Sequence, residues 1–117
     1  MIVHQARFRA LITLYPDDPH PATLRPHARE YPNPTRALVI RARPLRNVGS
    51  IRYIPAEICW DSAQSLHPGD RAWVTVTVTD DDAGAYIDAG QRFTLWSGGD
   101  VGDGIIARKV YTRYSPS

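Results

Sequence analysis

Cysteine, lysine and long apolar runs are scarce in this chain of 117 residues. Its one cysteine, Cys59, excludes an internal disulfide and fits a reducing compartment. No apolar run approaches the roughly 20 residues that a membrane-spanning helix needs. Arg7 and Arg9 also lie where a secretory signal would be apolar. We therefore expect one cytoplasmic domain over residues 1–117, without membrane contact.

Motifs for catalysis and for metal or nucleotide binding are also lacking. The chain has neither the Gly-x-x-x-x-Gly-Lys-Ser/Thr motif of a GTPase nor the Gly-x-Ser-x-Gly elbow of a hydrolase. Its four histidines, at positions 4, 20, 27 and 67, have no metal-ligand spacing such as HxxxH. We expect a protein that is not an enzyme, with no metal, no cofactor and no small-molecule substrate.

Alternating apolar and polar residues, the pattern of half-buried strands, dominate the rest of the sequence. In RFRALITL and AWVTVTVT, and in TRALVIRAR from Leu38 to Ala42, every second residue is apolar, so one face of each predicted strand is apolar. The side chains expected to point inward are Phe8, Ala10, Ile12, Leu14, Leu38, Ile40, Ala42, Ala72, Val74, Val76 and Val78. Further strands are predicted at Ser50 to Ile54, Gln91 to Trp96 and Ile105 to Tyr111. Six short strands at this spacing predict an all-β protein, either a closed antiparallel barrel or a sandwich.

One long segment, Asp17 to Pro34, interrupts the strand pattern. It holds five of the ten prolines, which remove backbone donors and exclude an interior strand. We predict a long proline-rich surface loop, and loops of this length in compact domains are often functional.

Four glycines, Gly98, Gly99, Gly102 and Gly104, lie close together in LWSGGDVGDGIIA. A phosphate-binding glycine loop needs a helix after it, whereas here another apolar strand pattern follows. The aspartates at 100 and 103 would also repel an anion. The run therefore predicts a hairpin turn with positive φ, followed by a close backbone crossing or bulge.

PGDRAWVTVTV and GQRFTLWSGGDVGDGIIARKV together resemble the C-terminal, third β-barrel domain of elongation factor Tu. The matching residues are Pro68, Gly69, Asp70, Gly90, Phe93, Leu95, Gly98, Gly99, Val101, Gly102 and Gly104. ARFRALITL, ALVIRA and GSIRYIP fall in the order of that domain's earlier strands. The resemblance implies a single closed antiparallel Greek-key barrel of about six strands. It also implies a role in holding transfer RNA or contacting protein partners, without GTP hydrolysis.

The chain departs from that family at three features that face phosphate. The Gly-Gly-Arg loop after the first strand is replaced by the longer Asp17 to Pro34 segment. The basic loop after the Val/Thr strand is the acidic Asp80-Asp81-Asp82, and the last turn is one residue shorter and lacks the family's arginine. Each departure weakens the implied contact with transfer RNA.

Charge is distributed unevenly along the chain. Residues 1–60 hold nine arginines against four acidic residues, whereas residues 61–117 hold five basic residues against eight aspartates. Arginine forks suit phosphate and carboxylate groups. The residues predicted to bind a partner are Arg25, His27, Arg29, Arg36, Arg41, Arg43 and Arg52. If their strands are adjacent, Arg41, Arg43 and Arg52 could share one face; ordinary solvated surface charge is the alternative.

These observations favour a binding module related to translation, which contacts RNA resembling transfer RNA, or a protein of the elongation machinery, through an arginine-rich face. The alternative is a protein-interaction module of the immunity or antitoxin type built on the same barrel. Two further expectations concern apolar side chains. Trp73 and Trp96, if outside the barrel, would form an exposed aromatic patch, and Cys59 is expected to be buried.

Overall fold

The computed structural model describes residues 2–16, 30–43, 50–79 and 86–116, with side chains described for 6–16, 30–43, 50–79 and 86–110. Throughout these residues the regular structure is strand, with no helix. The strands are β1 (Ile2–Leu14), β2 (Val39–Ala42), β3 (Arg52–Pro55), β4 (Glu57–Cys59), β5 (Arg71–Val78), β6 (Arg92–Trp96) and β7 (Asp100–Pro116). In the described part of the chain, no helix is long and apolar enough to cross a membrane.

All seven strands belong to one antiparallel sheet, in the order β3-β2-β6-β7-β1-β5-β4. The long strand β1 is central, because it pairs with β5 from Ala6 to Thr13 and with β7 over its whole length. Strands distant in sequence are therefore neighbours, and the order could not be read from the chain.

The sheet curls into a half-barrel, and its two edges belong to consecutive segments. β3 forms one edge beside β2, and β4 forms the other edge beside β5. Ala56, a buried residue, is the single residue between them. Pro55, which cannot donate a ladder hydrogen bond, ends β3, a position where proline is tolerated. The chain thus passes from one edge to the other at this bend.

The concave side of the sheet holds the core, as the alternation predicted. Ten of the eleven side chains expected to point inward are buried, and Ala72 is partly buried against the core. Burying one Val, Leu or Ile side chain contributes about 1.5–3 kcal/mol. Because the inward phase is fixed, the alternate residues of β1, β2, β5 and β6 must lie on the outer face.

Three predictions about strands and burial need correction. The described residues form seven strands rather than six, because Glu57–Cys59 forms β4 although its three residues are too few for a clear alternation. β7 begins at Asp100 and not at Ile105, so part of the glycine run lies in the strand. Cys59, expected to be buried, is half-buried, while its neighbours Ile58 and Trp60 are in the core.

The glycine run forms the hairpin turn between β6 and β7. Gly98 has φ of +75°, where a side chain would be strained. The ladder between β6 and β7 has a bulge beside the turn, because Leu95 pairs with Gly102 and Trp96 with Asp100, which leaves Val101 without a partner in the register. A Cβ placed on Gly102 would lie 2.5 Å from the carbonyl oxygen of Thr13, and one on Gly104 would lie 2.4 Å from Cζ of Phe93. The last two glycines therefore allow β7 to pack closely against its neighbours.

The end of the predicted proline-rich loop is attached to the rest of the fold. Tyr31 is buried and pairs through its backbone with Leu66. Asn33 donates through Nδ2 to the carbonyl oxygens of Trp60 and Ser62, at 2.6 and 2.7 Å. The peptide bond between Asn33 and Pro34 is cis. Residues 17–29 of this loop lie outside the described residues.

Candidate functional site

Two of the predicted arginines, Arg41 and Arg43, line an open groove of about 480 Å³ on the outer face of the sheet. Two arginines that were not predicted, Arg71 and Arg92, also line it. Its floor includes Leu11, Thr13, Thr94, Asp103 and Ile105. We call this feature the arginine groove.

Strand register explains how residues so distant in sequence come together. Residues that are direct cross-strand neighbours form a row across the sheet. One such row spans five strands and consists of Arg71, Thr13, Asp103, Thr94 and Arg41. Neighbouring strands are about 4.8 Å apart, so the backbones of the two terminal arginines are roughly 19 Å apart along the sheet. A guanidinium thus stands at each end of a short polar floor.

The next row along the strands is more apolar. It runs from Trp73 through Leu11 and Ile105 to Arg92. Residues two apart on a strand are about 6.7 Å apart, so this row lies directly beside the first. The floor is therefore hydroxyl-rich and acidic in one row and aliphatic in the other, with arginines along both.

Arg41 and Asp100 form an ion pair at the rim of the groove. Both terminal nitrogens of Arg41 meet the carboxylate of Asp100, with Nη1 at 3.1 Å from Oδ1 and Nη2 at 3.2 Å from Oδ2. This bidentate geometry fixes the Arg41 fork. Within the described ranges, Arg43, Arg71 and Arg92 make no ion pair, and all three are exposed. Positive charge therefore exceeds negative charge at this surface.

Tyr15 and Asp103 both line the groove. Partial burial is the main cause that raises the pKa of Tyr15 above 10.0, and the negative charges of Asp103 and Asp100 raise it further, against a smaller lowering by Arg41. The raised pKa keeps the Tyr15 hydroxyl in its neutral form over a wider range of pH.

Positive charge continues beyond the groove along β1 and β7. Arg9 and Arg108 lie directly opposite each other in the ladder between these strands. Like charges in such a position are unfavourable. The Arg9 guanidinium instead donates through Nη1 to the hydroxyl of Thr75 at 3.0 Å. The convex face therefore carries arginines over three successive rows.

Of the other predicted arginines, the two that the structure describes, Arg36 and Arg52, lie outside this surface. Arg52 was expected to share a face with Arg41 and Arg43, but it pairs with Ala42 and lies on the opposite side of β3 from Tyr53. Its guanidinium stacks 5.4 Å from the ring centre of Tyr86.

Arg36 is likewise remote from the groove. Its Nε lies 3.1 Å from Oε2 of Glu57, beyond β5, and 82% of its side chain is exposed. Arg25, His27 and Arg29, like Arg46 and the Asp80-Asp81-Asp82 loop, lie outside the described residues.

A signal for Arg71 and Arg92 was present in the sequence. Arg71 shares the outward phase of Trp73 and Thr75, and Arg92 shares the outward phase of Thr94. Their facing solvent could therefore be inferred. Their convergence could not, because it depends on β1 and β7 lying between β5 and β6.

The exposed aromatic side chains do not form one patch. Trp73 on β5 is 53% exposed, whereas Trp96 on β6 is half-buried, and β1 and β7 separate them. Trp96 packs instead against Tyr53 of β3, with ring centres 5.1 Å apart and ring planes at 69°. Trp60 is buried and donates through Nε1 to the carbonyl oxygen of Gln64. Aromatic rings therefore flank the arginine groove on both sides.

Groups suited to metal binding are not assembled in the described part of the chain, where no three His, Cys, Asp or Glu side chains cluster. Comparison with known proteins finds neither a matching family model nor a similar curated protein.

Proposed function

We propose that this chain is a non-enzymatic binding module that holds RNA along the arginine groove. The observation that carries the proposal is the row in which Arg71 and Arg41 stand at opposite ends of a floor shared by five strands. Arg43 and Arg92 also line the arginine groove. A site of this kind attracts and orients phosphate groups.

The proposed architecture is a closed Greek-key barrel similar to the C-terminal domain of elongation factor Tu. Closure is supported by the continuity of β3 and β4, which occupy opposite edges of the sheet and are separated in sequence by Ala56 alone. If both are counted as one bent strand, the seven strands become six. The close packing at Gly102 and Gly104, two positions of the resemblance, also supports this architecture.

The spacing of the arginines favours a polymer over a small anion. The two ends of the first row are roughly 19 Å apart, too far for one phosphate to contact both arginines. A chain of phosphates can contact Arg71 and Arg92 in turn over the aliphatic row of Leu11 and Ile105, beside Asp103 and not on its carboxylate, which would repel it. Since Arg9 and Arg108 extend the charge to a third row, the surface follows the path of an extended polyanion.

RNA is favoured over an acidic protein by two features of the same surface. Trp73 lies at one side of the groove and Tyr53 at the other, both about half exposed, and aromatic rings beside a basic groove bind bases by stacking. The sequence resemblance to a domain that holds transfer RNA points to the same partner. A translation-related protein remains the competing partner that the experiment must distinguish.

The test is the salt dependence of binding to bulk transfer RNA, measured by fluorescence anisotropy. Each phosphate contact contributes close to one unit to the slope of log affinity against log salt concentration. We expect the Arg71→Glu/Arg92→Glu variant to lower that slope by about two units and to weaken binding strongly in dilute buffer. Arg36→Glu is the matched control, since Arg36 is exposed but lies near Glu57 and away from the groove.

Two results would contradict the proposal. One is the absence of RNA binding by the unchanged protein in dilute buffer. The other is equal loss of affinity in Arg36→Glu and in the groove variant. Capture of an acidic protein through the groove, without any retention of RNA, would favour the protein-interaction alternative.

A further inference from the structure

Tyr53 and Trp96 form an aromatic pair on the outer face, and the RNA-binding proposal draws only on the exposure of Tyr53. They lie on β3 and β6, on either side of β2, where Tyr53 is the cross-strand neighbour of Arg41 and Trp96 is that of Val39. Their edge-to-face contact, at 5.1 Å and 69°, holds the two rings in a fixed arrangement. Even so, half of Tyr53 remains exposed to solvent. We call these two residues the aromatic platform.

The platform borders the arginine groove through Arg41. Arg41 is the direct cross-strand neighbour of Tyr53 on one side and of Thr94 on the other. Trp96 follows Thr94 by two residues and so projects from the same face of β6. A phosphate chain lying in the groove would therefore bring its next base within reach of the Tyr53 ring.

We infer that the partner is single-stranded RNA, with one base stacked on the Tyr53–Trp96 platform while its phosphates lie in the arginine groove. In a duplex the bases are stacked on one another and paired, so no base face is free for Tyr53. Stacking on an aromatic side chain requires an unpaired base and tolerates any base type. This inference rests on the proposed function and specifies its RNA.

The experiment compares three probes at one low salt concentration: a short single-stranded oligouridylate, an abasic oligomer of equal length, and an RNA duplex. The abasic oligomer keeps the phosphates and lacks the bases. We expect the oligouridylate to bind about 10-fold more tightly than the abasic oligomer, and more tightly than the duplex. Tyr53→Ala should remove most of this advantage without changing affinity for the abasic oligomer, which also shows that the groove is intact.

Two further substitutions at the platform separate stacking from folding. Tyr53→Phe should keep the preference, because the ring remains, whereas Tyr53→Leu should lose it although the site stays apolar. Quenching of tryptophan fluorescence by the oligouridylate should fall more in Trp96→Phe than in Trp73→Phe, since Trp73 lies across the groove on β5.

The possible failures are distinguishable. If no probe binds the unchanged protein, the proposed function fails and this inference fails with it. If the abasic oligomer and the duplex bind as tightly as the oligouridylate, and binding still depends on Arg71 and Arg92, only the platform inference fails. A preference that is lost in Trp73→Ala and retained in Tyr53→Ala would also overturn it.

Discussion

Replacing Gly102 by alanine is expected to destabilise the protein by about 3 kcal/mol, at the upper end of the range for overpacked sites. The new Cβ would lie 2.5 Å from the carbonyl oxygen of Thr13, although Cβ atoms essentially never approach another heavy atom within 3.0 Å. β1 would have to move by about 0.5 Å relative to β7. Because β1 is also hydrogen-bonded to β5, it cannot move without disturbing a second ladder.

Alanine substitutions at two other glycines of the same run distinguish the effect of packing on stability from the effect of backbone conformation. A Cβ on Gly99 meets nothing within 4 Å and Gly99 has no positive φ, so Gly99→Ala should change stability by less than about 0.5 kcal/mol. A Cβ on Gly98 also meets nothing, but φ of +75° makes alanine there cost about 1 kcal/mol. The expected order of destabilisation is Gly102, then Gly98, then Gly99.

Urea unfolding followed by tryptophan fluorescence measures the three free energies of unfolding, and thermal unfolding provides an independent check. For a domain of this size about 3 kcal/mol corresponds to a fall in Tm of roughly 12 °C. If Gly102→Ala unfolds at the same urea concentration as Gly99→Ala, the close contact between β7 and Thr13 is wrong. A Gly98→Asn variant should recover part of the loss in Gly98→Ala, because asparagine tolerates positive φ.

Three further predictions concern stability. The raised pKa of Tyr15 means that the unfolded chain ionises first, so stability should fall as pH rises above 10.0, and urea titrations of Tyr15→Phe should show a smaller fall. Asn33→Asp should cost about 1–3 kcal/mol in the same assay, since a carboxylate cannot donate to the carbonyl oxygens of Trp60 and Ser62; equal stability would contradict those bonds. Ile40→Ala should cost about 2–5 kcal/mol by thermal unfolding, whereas Ile51→Ala, at a 43% exposed position, should cost far less.

The strand predictions succeeded where apolar and polar residues alternate over several positions. The apolar phases of β1 and β5 place Phe8, Ile12 and Val76 in the core, as the sequence indicated. β4 was missed because Glu57, Ile58 and Cys59 form too short a run to show a clear alternation. These residues form a strand because they pair with β5. The long extent of β7 was missed because glycine is unfavourable in isolated strands, yet here it relieves crowding beside Phe93.

The structure brings together some of the residues predicted to bind a partner and separates others, and their binding stays a prediction. Arg41 and Arg43 line the groove, whereas Arg52 faces the other way because its register partner is Ala42. A shift of one residue in a strand reverses the face of every side chain, and the position of Arg52 in its strand could not be derived before the pairing was known.

By itself, the sequence determined which side chains point toward the core and where the turn at Gly98 falls, because side-chain alternation and positive φ are local properties of the backbone. Only the tertiary structure decided that Arg71 and Arg92 join Arg41 and Arg43 around one groove. That grouping depends on β1 and β7 being inserted between β5 and β6. Such long-range pairing reflects the packing of the whole sheet, which no single segment specifies.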